Sequence, residues 1–308
     1  MRISTVTSCY RGEAYLPAFF ESVASQSWAN RIEVVLDHSC PSDYELACVE
    51  QFRQKFAGSL IHQVHQERVP LGVAWNKCLE LATGDFLTIW NVDDMRTPDS
   101  VEVLTTGLLK NARSDLSFGD FEVVRKLGAR SGELLATNAV DPAEFTRSMM
   151  LGPFFMFRRR LAERVGPFDE QLHSALDFDF AVRAALHKAN PLHVNGLLGF
   201  FLNEGKGAST YPNSSQAVER TVVELRYGIF DKVDFRLVPK AMTYDVHSIH
   251  HGSSRLHVPS LVPDYFDLIE ERVRNWEISC AGGLGRGLAR IRRRIRRRIG
   301  SVSLRRGG

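Results

Sequence analysis

Two rhythms of apolar and polar positions alternate along this chain. Ile3 to Thr7 reads as a buried strand, and a polar turn over Ser8 to Glu13 leads to a helix with Leu16, Phe19, Phe20 and Val23 on one face. Ile32 to Leu36 predicts a second strand, ending in the turn Asp37-His38-Ser39-Cys40-Pro41. Asp43 is placed to cap a helix carrying Leu46, Val49, Phe52 and Phe56, which Gly58 closes. Leu60 to His65 predicts a third strand, Gly72 to Ala82 a short helix stopped by Gly84, and Asp85 to Trp90 a fourth strand. Strand followed by helix, repeated four times, predicts an α/β fold of the Rossmann-like kind: a mostly parallel sheet flanked by helices.

Beyond a helix over Pro98 to Lys110 the pattern turns mixed. Strands are expected at Asp115 to Val124, Phe154 to Phe157 and Leu192 to Leu202. Helices are expected at Pro142 to Met150, Arg160 to Val165, Leu176 to His187 and Gln216 to Phe230. Gly205 to Ser215, rich in Gly, Ser and Asn, predicts a mobile loop. The division that follows is a domain over 1–235, with halves 1–112 and 113–235, an extension over 236–283 and a tail over 284–308.

Composition narrows this little. A chain of 308 residues, 44% hydrophobic and 24% charged, is ordinary for a globular protein. The longest apolar run, Met149 to Phe157, ends at Arg158-Arg159-Arg160 and falls short of a membrane span. The amino terminus reads as a strand rather than a signal peptide. Five cysteines, Cys9, Cys40, Cys48, Cys78 and Cys280, form no CxxC pair, which suits free thiols in a reducing cytoplasm. Charge is more informative. Residues 284–308 carry ten arginines and no acid, leaving 29 basic against 36 acidic residues elsewhere, a balance of −7.

The strongest chemical signal is the run from Phe86 to Trp90 delivering Asp93 and Asp94. Acids at the carboxyl end of a strand lie where open α/β sheets bind ligands. Two carboxylates so close repel unless a cation joins them, and hard oxygen donors suit Mg²⁺ or Mn²⁺ together with a phosphate-bearing partner. A turn with a helix cap is the plainer alternative, with Thr97 as N-cap and Pro98 at N1. That cap does not require Asp93 or Asp94.

The segment Ile3 to Gln26, the Asp37 turn, Leu71-Gly-Val-Ala-Trp-Asn-Lys77, Leu81-Ala-Thr-Gly-Asp85 and the Asp93-Asp94 pair follow one another in an order that resembles the nucleotide-sugar-dependent glycosyltransferases of family 2. Gly152-Pro-Phe-Phe-Met-Phe, Val165-Gly-Pro-Phe-Asp-Glu170 and Ser174-Ala-Leu-Asp-Phe-Asp-Phe180 resemble that family's acceptor-side block. The likeness covers residues 1 to 230 and implies a GT-A fold with a C-terminal helical extension. It implies inverting transfer from a nucleotide-sugar, a UDP-sugar by preference, to a glycan or lipid-linked acceptor.

The resemblance assigns a metal to Asp93 and Asp94, and nucleotide-sugar contacts to Ser8, Tyr10, Asp37, Asn76, Asn91, Asp93 and Lys206. It places the catalytic base at Asp177. Plainer roles stand beside several of these: Asn91 as a turn former, Tyr10 as part of the core, Lys77 as a solvated helical lysine and Asp177 as a helix N-cap beside a solvated Asp179. Arg183 reads as a structural ion-pair partner. Where the family commonly carries acids, this chain has Asn91, His38 and Leu176. Those departures keep open a catalytically weakened relative that binds nucleotide or glycan without turnover. A nucleotidyltransferase of similar fold is a second alternative, but it leaves the acceptor-side block unexplained. His247, His250, His251 and His257 lie outside the matched blocks and read as surface residues.

In the tail, Leu284, Leu288, Ile291, Ile295, Ile299 and Val302 recur at steps of three and four among arginines. One apolar stripe on a basic helix predicts a peripheral location on an anionic membrane surface through residues 284–306. A disordered basic tail and a nucleic-acid-binding arm are the competing readings. The stripe argues against the first, and the lack of interleaved aromatics against nucleic acid.

Overall fold

The computed structural model describes residues 1–138, 145, 151–205, 207, 211 and 214–280. Four parallel strands build the first half. They are β1 (Ile3–Tyr10), β2 (Ile32–Ser39), β3 (Ser59–His65) and β4 (Phe86–Ile89), ordered β3-β2-β1-β4. β1 and β2 run to Tyr10 and Ser39, so Asp37 and His38 belong to a strand rather than to the expected turn. The helices between them are α1 (Leu16–Ala24), α2 (Asp43–Lys55) and α3 (Leu71–Leu81), and α4 (Ser100–Lys110) follows. Successive strand residues face opposite sides of the sheet. Ile3, Val34, Leu36 and Phe86 pack with α1, α2 and α4, while Val6, Val35, Leu87 and Ile89 pack with Trp75 and Cys78 of α3.

The sheet continues through β8 (Met156–Arg158), β6 (Leu116–Val124), β9 (Pro191–Leu202) and the short β5 (Met95–Arg96), with β7 (Glu133–Leu135) on β6. β8 is antiparallel to both β4 and β6, and this reversal turns β6 and β9 back to the direction of β4. The carboxyl ends of β1, β4 and β9 therefore share one edge. Three further helices, α5 (Arg159–Val165), α6 (Leu176–Leu186) and α7 (Gln216–Arg226), join the α3 side of the core.

Three local expectations change. Ser42, not Asp43, caps α2, through a capping box with Glu45. Glu45 then takes the buried face and leaves Leu46 exposed. Thr97 caps nothing, because its hydroxyl donates to the Leu197 carbonyl at 2.8 Å and α4 starts at Ser100.

One compact unit spans Met1–Tyr265, beyond the residue-235 boundary expected from sequence, and a second begins at Phe266. The first takes in α8 (Val238–Ala241), the hairpin β10 (Ser248–His251) and β11 (Ser254–His257), and α9 (Val258–Leu261). The hairpin joins it through backbone: Glu170 N donates to the His250 carbonyl at 2.9 Å, and His250 N donates to Asp169 Oδ1 at 2.9 Å. Residues 266–280 continue the helix α10 (Tyr265–Cys280). Among the described residues no helix is long and apolar enough to cross a membrane. The expected basic stripe of 284–306 lies outside the described residues, as does nearly all of the helix expected at 142–150.

Candidate active site

A cavity of about 590 Å³ opens at the shared strand edge. Ser8 and Tyr10 reach it from the end of β1, Asn91 and Asp93 from the turn after β4, Asn203 from the end of β9, and Asp177 from the first turn of α6. The segment just before β8 contributes Gly152, Pro153 and Phe155. Gly152 has φ +64°, and a Cβ there would lie 2.5 Å from the Phe121 ring, so this wall tolerates only glycine.

Asp93 and Asp94 part company. Asp93 lines the cavity, and burial, together with the charge of Glu204, raises its pKa. Asp94 turns inward. Its Oδ2 accepts from Asn91 Nδ2 at 3.2 Å and its Oδ1 from Leu202 N at 3.3 Å, which ties the β4 turn to β9. Burial, then the charge of Asp93, raises the Asp94 pKa well above its ordinary value. Behind it the buried Arg96 guanidinium donates to Thr88 Oγ1 at 2.8 Å and to the Ile89 carbonyl at 3.0 Å, and lies over the rings of Trp90 and Phe154.

Asp177 lines the opposite wall as the second residue of α6, so it does not cap that helix. Burial raises its pKa, against the Phe178 amide and the charge of Arg220. The helix start is held instead by Glu219 of α7, whose Oε2 accepts from the amides of His173, Ser174 and Ala175 at 2.9, 2.8 and 3.1 Å. Asp179 is fully buried rather than solvated, paired with Arg183 at 2.9 Å and Arg226 at 2.7 Å. Arg226 also reaches Asp169 at 2.7 Å, and Arg183 donates to the Val165 and Pro167 carbonyls. This network pins the Val165–Glu170 segment against α6 and α7.

Two of the nucleotide contacts expected from sequence stand outside the cavity. Asp37 is buried in β2 against His65 Nε2 at 2.6 Å, and burial raises its pKa against the nearby His65 and Lys77. Asn76 braces α3 to the following half, donating to the Phe168 carbonyl at 3.0 Å and accepting from Phe168 N at 2.8 Å. Lys206 lies outside the described residues. Glu204 was not foreseen, although it obeys the rule that singles out Asp93: it is an acid just beyond a strand tip. Tyr15 lines the cavity and donates to Glu204 Oε1 at 2.5 Å; that bond, then burial, pushes the phenol up to about 12. His250 and His251 are partly buried beside Asp245 and Glu170, and among the described residues the four C-terminal histidines form no metal-binding group.

An open α/β sheet with an acid-lined cavity at its strand tips is the GT-A architecture, and the comparisons agree. The profile of "Glycosyl transferase family 2" matches residues 4–166. The chain belongs to that family. It is similar to "Putative glycosyltransferase EpsE" of Bacillus subtilis (strain 168), at 25% identity over 134 residues, 44% of this chain and 48% of that protein. "Putative glycosyltransferase EpsH" of the same organism is 28% identical over 100 residues, 32% of this chain and 28% of that protein. The chain thus spans less than half the length of either relative. Among solved structures, residues 1–349 of S. aureus TarS in complex with UDP-GlcNAc share the fold with TM-score 0.61 and 19% identity, over 78% of this chain and 69% of that one. The mannosyltransferase PcManGT from Pyrobaculum calidifontis, in complex with GDP-Man and Mn²⁺, has TM-score 0.53 and 16% identity over 94% and 78%.

Proposed function

We propose that this chain transfers a sugar from a UDP-sugar to an acceptor hydroxyl with inversion, assisted by Mg²⁺ or Mn²⁺. The observation that carries the reading is a single cavity with Asp93 on its donor wall and Asp177 on its acceptor wall. The structural relatives with UDP-GlcNAc and with GDP-Man and Mn²⁺ support a nucleotide-sugar and a divalent ion.

The residues present fit such an ion. Asp93 and Glu204 repel each other beside the cavity, and hard oxygen donors of that charge suit Mg²⁺ or Mn²⁺. When bound, the ion neutralises charge on the departing diphosphate. Ser8, Tyr10 and Asn91 face the nucleotide. Asn91 spends its amide on Asp94, leaving its carbonyl as the group for a ribose or a bound water. Lys206 is assigned to the diphosphate on sequence grounds.

Asp177 accepts the proton of the acceptor hydroxyl. Burial raises its pKa above the ordinary carboxylate value, which strengthens it as a base while its Oδ1 keeps the Phe178 amide at 2.8 Å. Leu176, buried next to it, stands where the family commonly has an acid, and supplies apolar surroundings instead. A glycan or lipid-linked acceptor is consistent with the basic apolar stripe read in 284–306.

The melting temperature measured with UDP, GDP, CDP and dTDP, each with Mn²⁺ and with EDTA, tests the donor assignment. A rise with UDP that EDTA abolishes is the expected result. No rise with any nucleotide points to the weakened relative.

A further inference from the structure

The ends of β1 and β2 and the first turn of α2 meet around three buried side chains that the transfer chemistry leaves unused. Cys9, His38 and Glu45 bring one ligand atom each within 4.8 Å of the others, the only such metal-binding trio among the described residues. Cys9 and His38 are register partners on adjacent parallel strands, so both leave the sheet on the α2 face. Glu45 reaches the same point because the capping box folds it back. Its Oε2 accepts from Ser42 N at 2.7 Å and its Oε1 from Gly12 N at 2.5 Å.

The spacing suits a cation. Cys9 Sγ lies 4.0 Å and His38 Nε2 3.5 Å from Glu45 Oε1. A tetrahedral zinc bound by one sulfur, one nitrogen and one oxygen sets its donors about 3.3–3.7 Å apart, so the Cys9 thiol closes on Glu45 by a few tenths of an ångström. A Cβ at Gly12 would lie 2.3 Å from Cys9 Sγ, so a glycine is what leaves this corner open.

A second observation comes from His38. Its Nδ1 lies 3.2 Å from His62 Nε2, while its own Nε2 is buried without a hydrogen-bond partner. One ring nitrogen of His38 thus faces a neighbouring imidazole and the other faces the thiol and the carboxylate, the orientation in which an outer partner positions a metal-bound histidine.

We propose that Cys9, His38 and Glu45 form a zinc site separate from the transfer cavity, with His62 orienting His38 and water completing the coordination. Thiolate and imidazole select zinc over the hard ions that suit Asp93 and Glu204. Binding breaks the Cys9 S–H bond and forms an S–Zn bond, one proton leaving to solvent. The ion ties β1 to β2 and α2, fixing the strand end whose Ser8 and Tyr10 line the cavity.

The test uses the full chain, stripped with a chelator and titrated with Co²⁺ as an optical probe. A thiolate-to-cobalt charge-transfer band saturating near one equivalent is expected, displaced by Zn²⁺ with release of one proton. The band disappears in Cys9→Ser and persists in Cys40→Ser, the exposed cysteine, and in Asp93→Asn. Zn²⁺ raises the Tm of the stripped protein by about 5 °C. His62→Ala keeps all three ligands and weakens Co²⁺ binding at least about tenfold, which holds the test open should Cys9→Ser fail to fold. No band, a band that survives Cys9→Ser, or an unchanged midpoint in His62→Ala overturns the proposal. The outcome is independent of the nucleotide assay.

Discussion

At the tip of β4 and in the first turn of α6, two acids stand close together in sequence. In both places one faces the cavity and the other turns into the protein. Asp93 and Asp177 are the cavity acids, and burial raises both their pKa values. Their inward partners differ. Asp94 is held by the neutral donors Asn91 Nδ2 and Leu202 N, and its pKa is raised. Burial also acts on Asp179, but Arg183 and Arg226 outweigh it and hold the carboxyl below its usual range. A buried carboxylate with two direct cationic partners is a structural anchor. One with neutral partners is a hinge-pin that tolerates losing its charge. Proximity to the cavity alone does not tell the two apart.

The largest expected effect follows from breaking the anchor. Arg226→Ala leaves Asp169 and Asp179 buried without that partner and costs about 3–5 kcal/mol, a fall of roughly 10 °C in Tm. A Tm within a degree of wild type contradicts the contrast. Asp93→Asn acts on the ligand instead. It removes the Mn²⁺-dependent stabilisation by UDP, about 2–3 kcal/mol at saturating nucleotide, while the ligand-free Tm holds. Asp94→Asn sharpens the comparison: it keeps the nucleotide response and costs about 1–2 kcal/mol, less than Arg226→Ala, because it strands no cation and only one of the two accepting oxygens is lost.

A pH limb tests the anchoring of α6 separately. Burial opposes ionisation of Glu219, yet hydrogen bonds from His173, Ser215 and the amides at the start of α6 hold its pKa down to about 2, from 4.5. A lowered folded pKa contributes stability that is present above the unfolded value and lost as pH falls from about 4.5 toward 2. Urea midpoints across that window flatten in Glu219→Gln if the assignment is right, and keep their slope if it is wrong.

Much of the first half was legible because its physics is local. The apolar run Phe86–Trp90 and the acids beyond it are read along one stretch of chain, and α1 buries the face its period predicts. Errors there came from competition between neighbours. Ser42 displaces Asp43 as cap because Glu45 completes the box, and Thr97 spends its hydroxyl on β9. The second half was less legible because its anchors are distant in sequence: Asp169 and Asp179 meet Arg226, and Glu219 caps a helix that begins far upstream. Nothing in the chain's periodicity marks Asp179 and Arg183 as buried. Glu204 was within reach, because it follows β9 as Asp93 follows β4.

The division of labour between Asp177 and Asp179 is tested most directly by pairing Asp177→Asn with Asp179→Asn. UDP release from UDP-sugars, Tm and UDP binding are read on both. Asp177→Asn is expected to keep wild-type Tm and nucleotide binding while turnover falls about 10³-fold. Asp179→Asn is expected to lose Tm first. Undiminished UDP release by a folded, nucleotide-binding Asp177→Asn protein would contradict the account.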